Sequence, residues 1–498
     1  MSVAQESASR PSGAGVRAAD GHDGAARLDA RERAVIGVLL VSTFVVVLNE
    51  TVMSVALPVL MADLRIEASV GQWLTAGFLL TMAVVVPVTG FLIRRVPTRR
   101  LFATAMVLFS AGTLLAALAP GFGVLLTGRV VQAGGTAIMM PLLMTTVMTL
   151  VPPARRGALM GNISVVISVA PATGPTVSGV ILDLFSWRYI FWLVLPVALC
   201  TLVLGLWRVT DIGETASASI DVASVALSAL GFGGLVYGLS SIGHSTGTTS
   251  PLVAWGAVGA GSVALVTFVF RQLVLQRTGR ALLDLRPFTK PAFTVATVVM
   301  MLMMATLLGT VVLLPIYLQD VLELQPLTTG LVLLPGGVLM GVLAPVVGRL
   351  YDRLGARALL VPGTIAASSA LWLMTLFTSD SSLVRVVSSH LLLSVGLALV
   401  FTPLFTAGLG AVEPALYSYG SAIFGTAQQL AGAAGVALLV SVMSARSSAV
   451  AAVGLPPLEQ TAGGVHAAFQ VAAALSLAAI AGAFFIHRAP SDETPAAH

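Results

Sequence analysis

The sequence predicts an all-α integral membrane protein with fourteen membrane-spanning helices. Hydrophobic residues make up 57% of the 498 residues, charged residues only 9%, and the mean hydropathy is +0.97. Soluble globular domains carry ~25% charged residues. Apolar runs long enough to cross a bilayer recur along the chain, and its basic residues fall in alternate connections between these runs.

The apolar runs form two groups of six with a pair between them. Fourteen runs have the length of a crossing helix, at 34–60, 72–93, 101–119, 123–151, 157–182, 188–207, 221–242, 252–270, 292–318, 327–350, 357–378, 384–410, 416–444 and 466–487. Such a layout is expected of two homologous bundles around a site at mid-membrane depth. We therefore predict a disordered cytoplasmic tail, a six-helix bundle, an inserted pair, a second six-helix bundle and a short cytoplasmic tail, at 1–33, 34–210, 221–272, 291–488 and 489–498.

The arginines predict the orientation of the chain. Of the 26 basic residues, only Arg65, Arg188, Arg385 and Arg446 fall on the predicted outer side, and Arg129 lies within a run. The positive-inside rule then predicts that both termini are cytoplasmic, in the inner (cytoplasmic) membrane. The net charge of +5 is explained by topology, so we expect no nucleic-acid partner. The single cysteine excludes an intrachain disulfide.

The first apolar run contains an acidic residue where a lipid-spanning helix should be apolar. The run reads VVVLNETVMSVALP from Val45, with Asn49 and Glu50 near its middle. A carboxylate at membrane depth costs ~3 kcal/mol or more, and it normally faces a cavity or a partner. We expect Glu50 to bind and release protons. The alternative is that Glu50 lies near the outer end of its helix and extends to the interface.

Arg129 is a second charge within a predicted span. Arg129, Gln132 and Thr136 are spaced i, i+3 and i+7, so they share one helix face. Because arginine stays protonated, it needs partners at this depth. We expect Arg129 to provide a fixed positive field that helps Glu50 release its proton. The alternative is a purely structural centre of hydrogen bonds between helices.

Several motifs, in order along the chain, resemble the major facilitator superfamily, specifically its fourteen-span drug:proton antiporters of the EmrB/QacA type. The resemblance runs from about Ala34 to Arg488. The loop motif Gly-x-Leu-x-Asp-Arg-x-Gly-x-Arg is matched by Gly348, Leu350, Asp352, Arg353, Gly355 and Arg357. The fourth-helix motif is matched by Arg129, Gln132, Gly134 and Gly135, and the fifth-helix antiporter motif by Gly174, Pro175 and Gly179. The segment from Trp187 to Pro196 resembles the start of the sixth helix of that branch, and the segment from Leu314 to Gly337 resembles its ninth and tenth spans.

The resemblance implies a fold and two further groups of residues. The fold is the major facilitator fold, two six-helix bundles with two inserted helices. The fifth helix is implied to face its counterpart in the other half and seal it against leaks, through Pro171, Gly174, Pro175 and Gly179; a packing role is the alternative. The loop motif is implied to be an inner-loop latch that locks a helix end when the inner side is closed. As a solvated cluster it would contribute at most ~1 kcal/mol.

Three positions depart from the family pattern. Asn49 stands where an aspartate is common, with Glu50 beside it. Arg94 stands in the first-half loop where aspartate is usual, so we expect the latch to be unequal between the halves. Gln428 stands where many relatives have arginine. The NET segment in the first run and the two glutamines in the thirteenth are most similar to the lincomycin-resistance exporter branch.

Polar and adaptable residues within the runs are candidates for substrate binding. They are Asn49, Met53, Gln132, Met140, Asn162, Gln319, Phe424, Gln428 and Gln429. Methionine suits a varied cargo because it is unbranched and polarisable. For each apolar candidate, lipid contact or core packing is the alternative, and Gln428 and Gln429 could instead bond between helices.

These observations favour a proton-coupled antiporter that exports amphipathic small molecules or antibiotics by alternating access. A dedicated exporter of one endogenous metabolite, an importer working by symport and a transport-dead membrane sensor are alternatives. An intramembrane enzyme is disfavoured because the six histidines cluster with no carboxylate or cysteine. No Gly-x-x-x-x-Gly-Lys-Ser/Thr loop occurs, which excludes ATP as the energy source. We expect no cofactor and no metal, and a monomer whose partners are protons, a small molecule and the bilayer.

Overall fold

The computed structural model describes residues 29–66, 68–71, 73–212, 221–243 and 250–486. Within these ranges the chain consists of α-helices joined by turns, short 3-10 helices and one π-helical segment, with no β-strand. The predicted all-α class is therefore confirmed. The predicted tail at 489–498 and the first 28 residues of the tail at 1–33 lie outside the described residues.

Fifteen α-helices follow one another along the described chain. They are α1 (Ala30–Leu64), α2 (Ala68–Gly71), α3 (Trp73–Ile93), α4 (Thr98–Ala117), α5 (Phe122–Leu150), α6 (Arg156–Leu184), α7 (Arg188–Arg208), α8 (Val222–Gly243), α9 (Pro251–Leu275), α10 (Pro291–Ile316), α11 (Pro326–Leu354), α12 (Arg357–Met374), α13 (Leu383–Gly410), α14 (Tyr417–Ala452) and α15 (Pro457–Ala483). The π-helical segment Tyr317–Val321 extends α10.

Thirteen helical segments of the described chain are long and apolar enough to cross a membrane. Each coincides with a predicted span. The remaining predicted span, at 157–182, is α6, a continuous helix of 29 residues that is not among the thirteen. At 1.5 Å per residue α6 is ~44 Å long, which is enough for a crossing, and it packs against both α1 and α11. The total of fourteen spans stays a prediction.

Two helix starts differ from those predicted by hydropathy. The α1 helix begins at Ala30, so 30–33 are helical and not part of the predicted tail. The Asp29 carboxylate accepts from the Ala30 N–H at 2.6 Å, and Glu32 accepts from the Asp29 N–H at 2.9 Å, forming a capping box. The α15 helix begins at Pro457, nine residues before the predicted start, because a proline can occupy a first turn. A capping box marks the first of these starts and a first-turn proline the second, and hydropathy registers neither.

The two six-helix groups, α1 with α3–α7 and α10–α15, meet along two extensive helix pairs, α6 with α11 and α3 with α14. Small residues permit this close approach. A Cβ on Gly157 of α6 would collide with the backbone of Gly348 of α11, and one on Gly161 would collide with Ala344. Farther along α6, the Thr402 hydroxyl donates to the Ser164 hydroxyl at 2.7 Å, which links α13 to α6.

The inserted helices α8 and α9 pack chiefly on each other, and α8 also contacts α3 and α14. The pair therefore lies beside the contact between α3 and α14, which we call the α3–α14 seam; the contact between α6 and α11 is the other seam between the halves. Much of α9 remains exposed and apolar, including Leu252 at 82% and Val274 at 67% exposure. A helix with this surface suits contact with lipid.

The helix bundle has two chemically different ends. We call the end that carries Arg94, Arg155, Arg277 and Arg353 the basic end, and the opposite end the far end. The α1 helix starts at the basic end, and each following crossing reverses direction.

Candidate functional site

Arg129 is buried inside the bundle, with only 1% of its surface exposed. It lies on α5, where one amino group of its guanidinium, Nη1, donates to Asn49 Oδ1 of α1 at 3.0 Å and to Gln132 Oε1 at 2.6 Å. Both partners are amides. The sequence predicted that Arg129 and Gln132 share a face, and the structure places Asn49 of α1 against that face.

The polar contact continues from α5 to a third helix. The Gln132 amide nitrogen donates to Thr113 Oγ1 of α4 at 2.8 Å, and the Thr113 hydroxyl donates to the Phe109 carbonyl at 2.6 Å. The Phe78 ring of α3 lies 4.1 Å from the Arg129 guanidinium carbon, in cation–π geometry. Four helices thus hold one buried positive charge in a fixed position.

Glu50 follows Asn49 directly but points away from it. Successive residues of an α-helix are rotated by ~100° about its axis, so Glu50 lies off the face that carries Asn49. Its side chain is half-buried, it interacts electrostatically with Arg129, and no group of the described chain hydrogen-bonds to it. The acid and the arginine are therefore neighbours without a direct ion pair.

Next to Glu50, α1 packs against α6 through Thr51. Thr51 Oγ1 donates to the Leu48 carbonyl at 3.0 Å and lies 3.4 Å from the Ala170 carbonyl of α6. Gly174 lies against this threonine, and a Cβ at Gly174 would collide with Thr51 Oγ1. Gly174 thus gives α1 room to approach α6.

The other residues of the predicted gating motif do not all share this packing. Pro171 and Pro175 lie within the helical backbone of α6, and their side chains lie outside the described parts of the chain. A Cβ at Gly179 would meet no described atom within 4 Å outside its own stretch of α6. Of the four, only Gly174 has a close neighbour that the structure describes.

The predicted substrate-binding residues do not converge on one place. Asn49, Met53, Gln132 and Phe424 are buried, Met140, Gln428 and Gln429 are half-buried, and Asn162 and Gln319 are exposed. Gln319 lies on the π-helical segment at the far end, whereas Asn162 lies near the basic end of α6. These two therefore lie at opposite ends of the bundle.

Two of the apolar candidates have packing contacts that account for them. The Phe424 ring lies 5.1 Å from that of Phe293 and 5.5 Å from that of Phe405, measured between centroids. Met53 lies in a separate buried cluster that includes Trp187 and Phe191. In this conformation both are core residues, the alternative that the sequence left open.

At the basic end, Asp352 of α11 forms hydrogen bonds that link the two halves. Its two carboxylate oxygens accept from the Gly157 and Ala158 N–H groups at 2.8 and 2.9 Å. These are free N–H groups of the first turn of α6, where a negative charge is also favoured by the helix dipole. One half of the protein thus caps a helix of the other.

The remaining residues of the predicted latch surround this contact. Gly348 lies against Gly157, and Gly355 ends α11 with a φ of 83°, a left-handed value that glycine adopts easily. Arg353 and Arg357 are exposed, and the Arg357 guanidinium lies 5.5 Å from the Phe484 ring. In the described structure Asp352 makes the contact between the halves, and these two arginines lie beside it.

The corresponding contact at the α3–α14 seam is made differently. Arg94, which follows α3, lies 5.3 Å from the Tyr419 ring. Arg156, the first residue of α6, lies 5.4 Å from the Tyr417 ring. Both tyrosines are in the first turn of α14. One stacked cation, Arg94, thus lies at this seam, whereas a carboxylate caps the start of α6 at the other one. The two tyrosines were not predicted from the sequence, because nothing in their own segment marks them and their basic partners lie on other helices.

The inserted pair is fixed at the basic end by a polar network that the sequence analysis also missed. Arg271 donates to both carboxylate oxygens of Asp221 at 2.7 and 2.8 Å. The Gln272 amide donates to the Ser224 hydroxyl at 2.7 Å and accepts from the Leu282 N–H at 2.8 Å. The Arg271 and Ser224 hydrogen bonds hold the pKa of Asp221 well below its usual range. The network joins α8, α9 and the connection that leads to α10.

A second pair of charges continues along this connection. The Arg286 guanidinium binds Asp284 through two nitrogens at 2.6 to 3.0 Å, and this hydrogen bonding raises the pKa of Arg286. Lys290 then meets Glu413, which precedes α14, at 3.3 Å. The connection from α9 to α10 is therefore tied to the base of the second half.

The bundle holds charged and amide groups in its interior, and its two halves are in contact at the basic end, as expected of a membrane transporter. The chain belongs to the Major Facilitator Superfamily, whose family model matches residues 39–436. This assigns it to a family of transporters.

The relatives agree with this assignment. The chain is 40% identical to the uncharacterized MFS-type transporter YcnB of Bacillus subtilis, over 93% of this chain and 97% of the relative. It is 39% identical to the lincomycin resistance protein LmrB of Listeria monocytogenes, over 91% and 97% of the two chains. The crystal structure of the human organic anion transporter MFSD10 (TETRAN) shares the fold, with a TM-score of 0.65 at 16% identity, covering 91% of this chain and 99% of that one.

Proposed function

We propose that the protein is a proton-coupled antiporter that exports amphipathic small molecules, including antibiotics, by alternating access. One observation carries the proposal. Glu50 lies half-buried in a membrane helix beside Arg129, whose hydrogen bonds go to the amides of Asn49 and Gln132. The positive charge is thus held in place without occupying the carboxylate, which can still gain or lose a proton.

This arrangement supports exchange of a proton for a cargo molecule. Burial favours the neutral form of a carboxylic acid, whereas a nearby cation favours the ionised form. A change in the distance between Glu50 and Arg129, or in the wetting of Glu50, would therefore load or release a proton. A cargo that prefers the ionised carboxylate competes with the proton, and each ligand stabilises the conformation that it binds better.

The two ends of the bundle support a direction of transport. We propose that the basic end faces the cytoplasm, with both chain termini on that side, because basic connections are retained there. The Asp352 contact with α6 then closes the cytoplasmic side in the described conformation. Proton loading from outside takes place in this state, and release follows when the basic end opens.

The nature of the cargo is proposed from two sources. Relatives of this chain include lincomycin resistance proteins and, at 28% identity over 83% of this chain, the multidrug resistance protein B homolog of Mycobacterium tuberculosis. Three of the predicted substrate-binding residues, Met140, Gln428 and Gln429, remain half-buried and so available to a ligand. We propose a fourteen-span monomer of the cytoplasmic membrane that needs no ATP, metal, cofactor or nucleic acid.

Proton-driven efflux in reconstituted vesicles tests this proposal. The purified chain is placed in proteoliposomes, and efflux of lincomycin and of the cationic dye ethidium is followed under an imposed pH gradient. We expect Glu50→Gln to abolish gradient-driven efflux, because the amide cannot exchange a proton, while the protein still inserts. Glu459→Gln, at an exposed position in the first turn of α15, is the matched control and should resemble the wild type. Unchanged efflux in Glu50→Gln would refute the role of this carboxylate.

A further inference from the structure

Two neighbouring helices of the first half carry exposed arginines at the basic end. Arg99 and Arg100 are the second and third residues of α4, and Arg208 is the last residue of α7. All three are exposed, and none of them forms an ion pair with a carboxylate of the described residues. Their guanidiniums are therefore available to an anion from outside the chain.

The contact between α4 and α7 brings these arginines to one level. The two helices run antiparallel and pack against each other, and a Cβ on Gly205 of α7 would collide with the Phe102 ring of α4. Counted from this contact towards the basic end, Arg100 lies level with Trp207, ~3 Å farther along. The other two arginines lie level with each other one residue beyond, so side chains from both helices can reach one ligand.

The connection after α7 holds the two helix ends together. The Asp211 carboxylate accepts from the Arg99 N–H at 3.1 Å, and the Ile212 N–H donates to the Thr98 hydroxyl at 3.4 Å. Asp211 thus satisfies a free N–H group at the start of α4. The start of α4, the end of α7 and the residues up to 212 together carry three guanidiniums and one carboxylate, so this region is positive.

The arginines lie at the ends of two exposed apolar helix faces. On α4, Val107 and Leu114 share the face of Arg100, at i+7 and i+14, and are 52% and 40% exposed. On α7, Val203 precedes Trp207 by one turn and is 48% exposed. Both helices have the length and hydropathy of membrane spans. Their basic ends therefore lie at the level of the lipid headgroups, above the acyl chains that cover these faces.

A tryptophan marks the same level. Trp207 is 79% exposed, and it is the only one of the six tryptophans that lies at the basic end. Tryptophan is enriched where the hydrocarbon core meets the headgroups. We call Arg99, Arg100, Trp207 and Arg208 the α4–α7 patch. A guanidinium binds a phosphate through two parallel hydrogen bonds, which suits the patch to a headgroup phosphate.

Other arginines at the basic end already have partners within the chain. Arg94 and Arg156 lie against tyrosine rings of α14, and Arg271 and Arg286 bind carboxylates. The α4–α7 patch differs because its three guanidiniums come from two adjacent helix ends and share no ion pair with the described residues.

We propose that the α4–α7 patch binds an anionic phospholipid, with its phosphate held by the three arginines and its acyl chains lying along the exposed faces of α4 and α7. Basic pockets between membrane helices recognise anionic headgroups in this way. The bound phosphate reduces the repulsion between the arginines and links α4 to α7. This inference does not depend on the proposed antiport, because it concerns the outer surface of the first half.

Quenching of Trp207 fluorescence tests for this lipid. The full chain is placed in phosphatidylcholine vesicles that contain an equal minor fraction of either brominated phosphatidylglycerol or brominated phosphatidylcholine, since bromine quenches tryptophan on contact. Trp207→Phe gives the signal of the other five tryptophans. We expect Trp207 to prefer phosphatidylglycerol by about tenfold or more, because each arginine near a membrane surface contributes about fivefold.

Variants with equal charge separate the patch from the basic end as a whole. In the patch variant all three of its arginines are replaced by glutamine, and the preference should fall to about twofold or less. The control is Arg155→Gln/Arg277→Gln/Arg349→Gln, which removes three exposed arginines from other elements of the basic end and should keep the wild-type preference. An unchanged preference in the patch variant, or an equal loss in the control, would overturn the inference.

Inorganic phosphate distinguishes a lipid from a free anion. Added phosphate should leave the quenching by brominated phosphatidylglycerol as it is in sodium chloride of equal ionic strength, because the acyl chains add to the affinity of the lipid. Displacement by phosphate would overturn the assignment to a lipid. Equal quenching by the two brominated lipids in the wild type would overturn the site itself, and this comparison needs no arginine variant to fold.

Discussion

Removing the Asp352 carboxylate should shift the protein towards conformations in which the basic end is open. Asp352 accepts from the N–H groups of Gly157 and Ala158 at 2.8 and 2.9 Å, across the seam between the halves. In Asp352→Ala these first-turn N–H groups lose their acceptor, and a negative charge leaves the positive end of the α6 dipole. The open conformation, in which the contact is already absent, loses nothing.

The size of the shift follows from the geometry of the contact. A hydrogen bond to a charged group contributes ~1.5–3 kcal/mol, and loss of an N-cap typically costs ~0.5–2 kcal/mol. Asp352 is half-exposed, so water replaces part of what is lost. We therefore expect a net shift of ~1–2 kcal/mol, which is a change of about 5- to 30-fold in the ratio of open to closed protein. Asp352→Asn, whose amide oxygen still accepts, should give a smaller shift.

Distances between spin labels at the basic end measure this ratio. Labels on cysteines replacing Ala154 and Arg349, exposed positions in the two halves, are introduced in a Cys200→Ser background. We expect a longer-distance population to grow in Asp352→Ala. Asp320→Asn removes an exposed carboxylate at the far end and should leave the distribution unchanged. Equal distributions for Asp352→Ala and wild type, or an equal change in Asp320→Asn, would refute the reasoning.

Three further outcomes follow from contacts described above. The Arg129→Lys variant should insert in the membrane but lose most gradient-driven efflux, because a single ammonium cannot reproduce the guanidinium contacts with Asn49 and Gln132. Efflux under a pH gradient measures this loss, and a wild-type rate would contradict the prediction. Gly435→Ala should destabilise the protein by ~1–3 kcal/mol, because its Cβ would collide with the Ala305 backbone, and this should appear as a lower thermal unfolding temperature in detergent. Gly256→Ala, where a Cβ meets open space, should leave that temperature unchanged. Folding lowers the pKa of Asp221 from 3.8, so the pairing of its carboxylate with Arg271 stabilises the fold at any pH above 3.8. This stabilisation is lost only as the pH falls from 3.8 towards the lower pKa of the folded state. The stability difference between wild type and Asp221→Asn should therefore stay constant from about pH 8 to about pH 5 and narrow only in stronger acid, and a difference that vanishes near neutrality would contradict this.

Much of the fold could be predicted from the sequence because it depends on local properties. Hydropathy located the long helices, and the basic residues in alternate connections predicted the orientation of the chain. Boundaries were less well predicted: α1 starts at Ala30 behind a capping box, α15 starts at Pro457, and α14 continues to Ala452, eight residues beyond its predicted end at 444. The sequence also located Glu50 and Arg129, because a charge in an apolar run is conspicuous.

The partners of those charges could not be predicted from the sequence. Asn49, and not Glu50, contacts Arg129, because rotation of α1 by one residue exchanges one side chain for the other. Thr113 and Tyr419 were missed because nothing in their own segments marks them; they matter only through Gln132 and Arg94 on other helices. The packing of Phe424 and Met53 in this conformation could not be predicted either, because it depends on neighbouring helices.

The sequence by itself determined that this chain is a helical membrane protein with two charged residues inside its first bundle. Both facts follow from the free energy of placing each residue in lipid, which is a property of the residue and its near neighbours along the chain. Tertiary structure decided which groups hold Arg129 and that Asp352 caps α6. These are decided by how each helix is rotated and which helix it meets, and that depends on the packing of all the helices together.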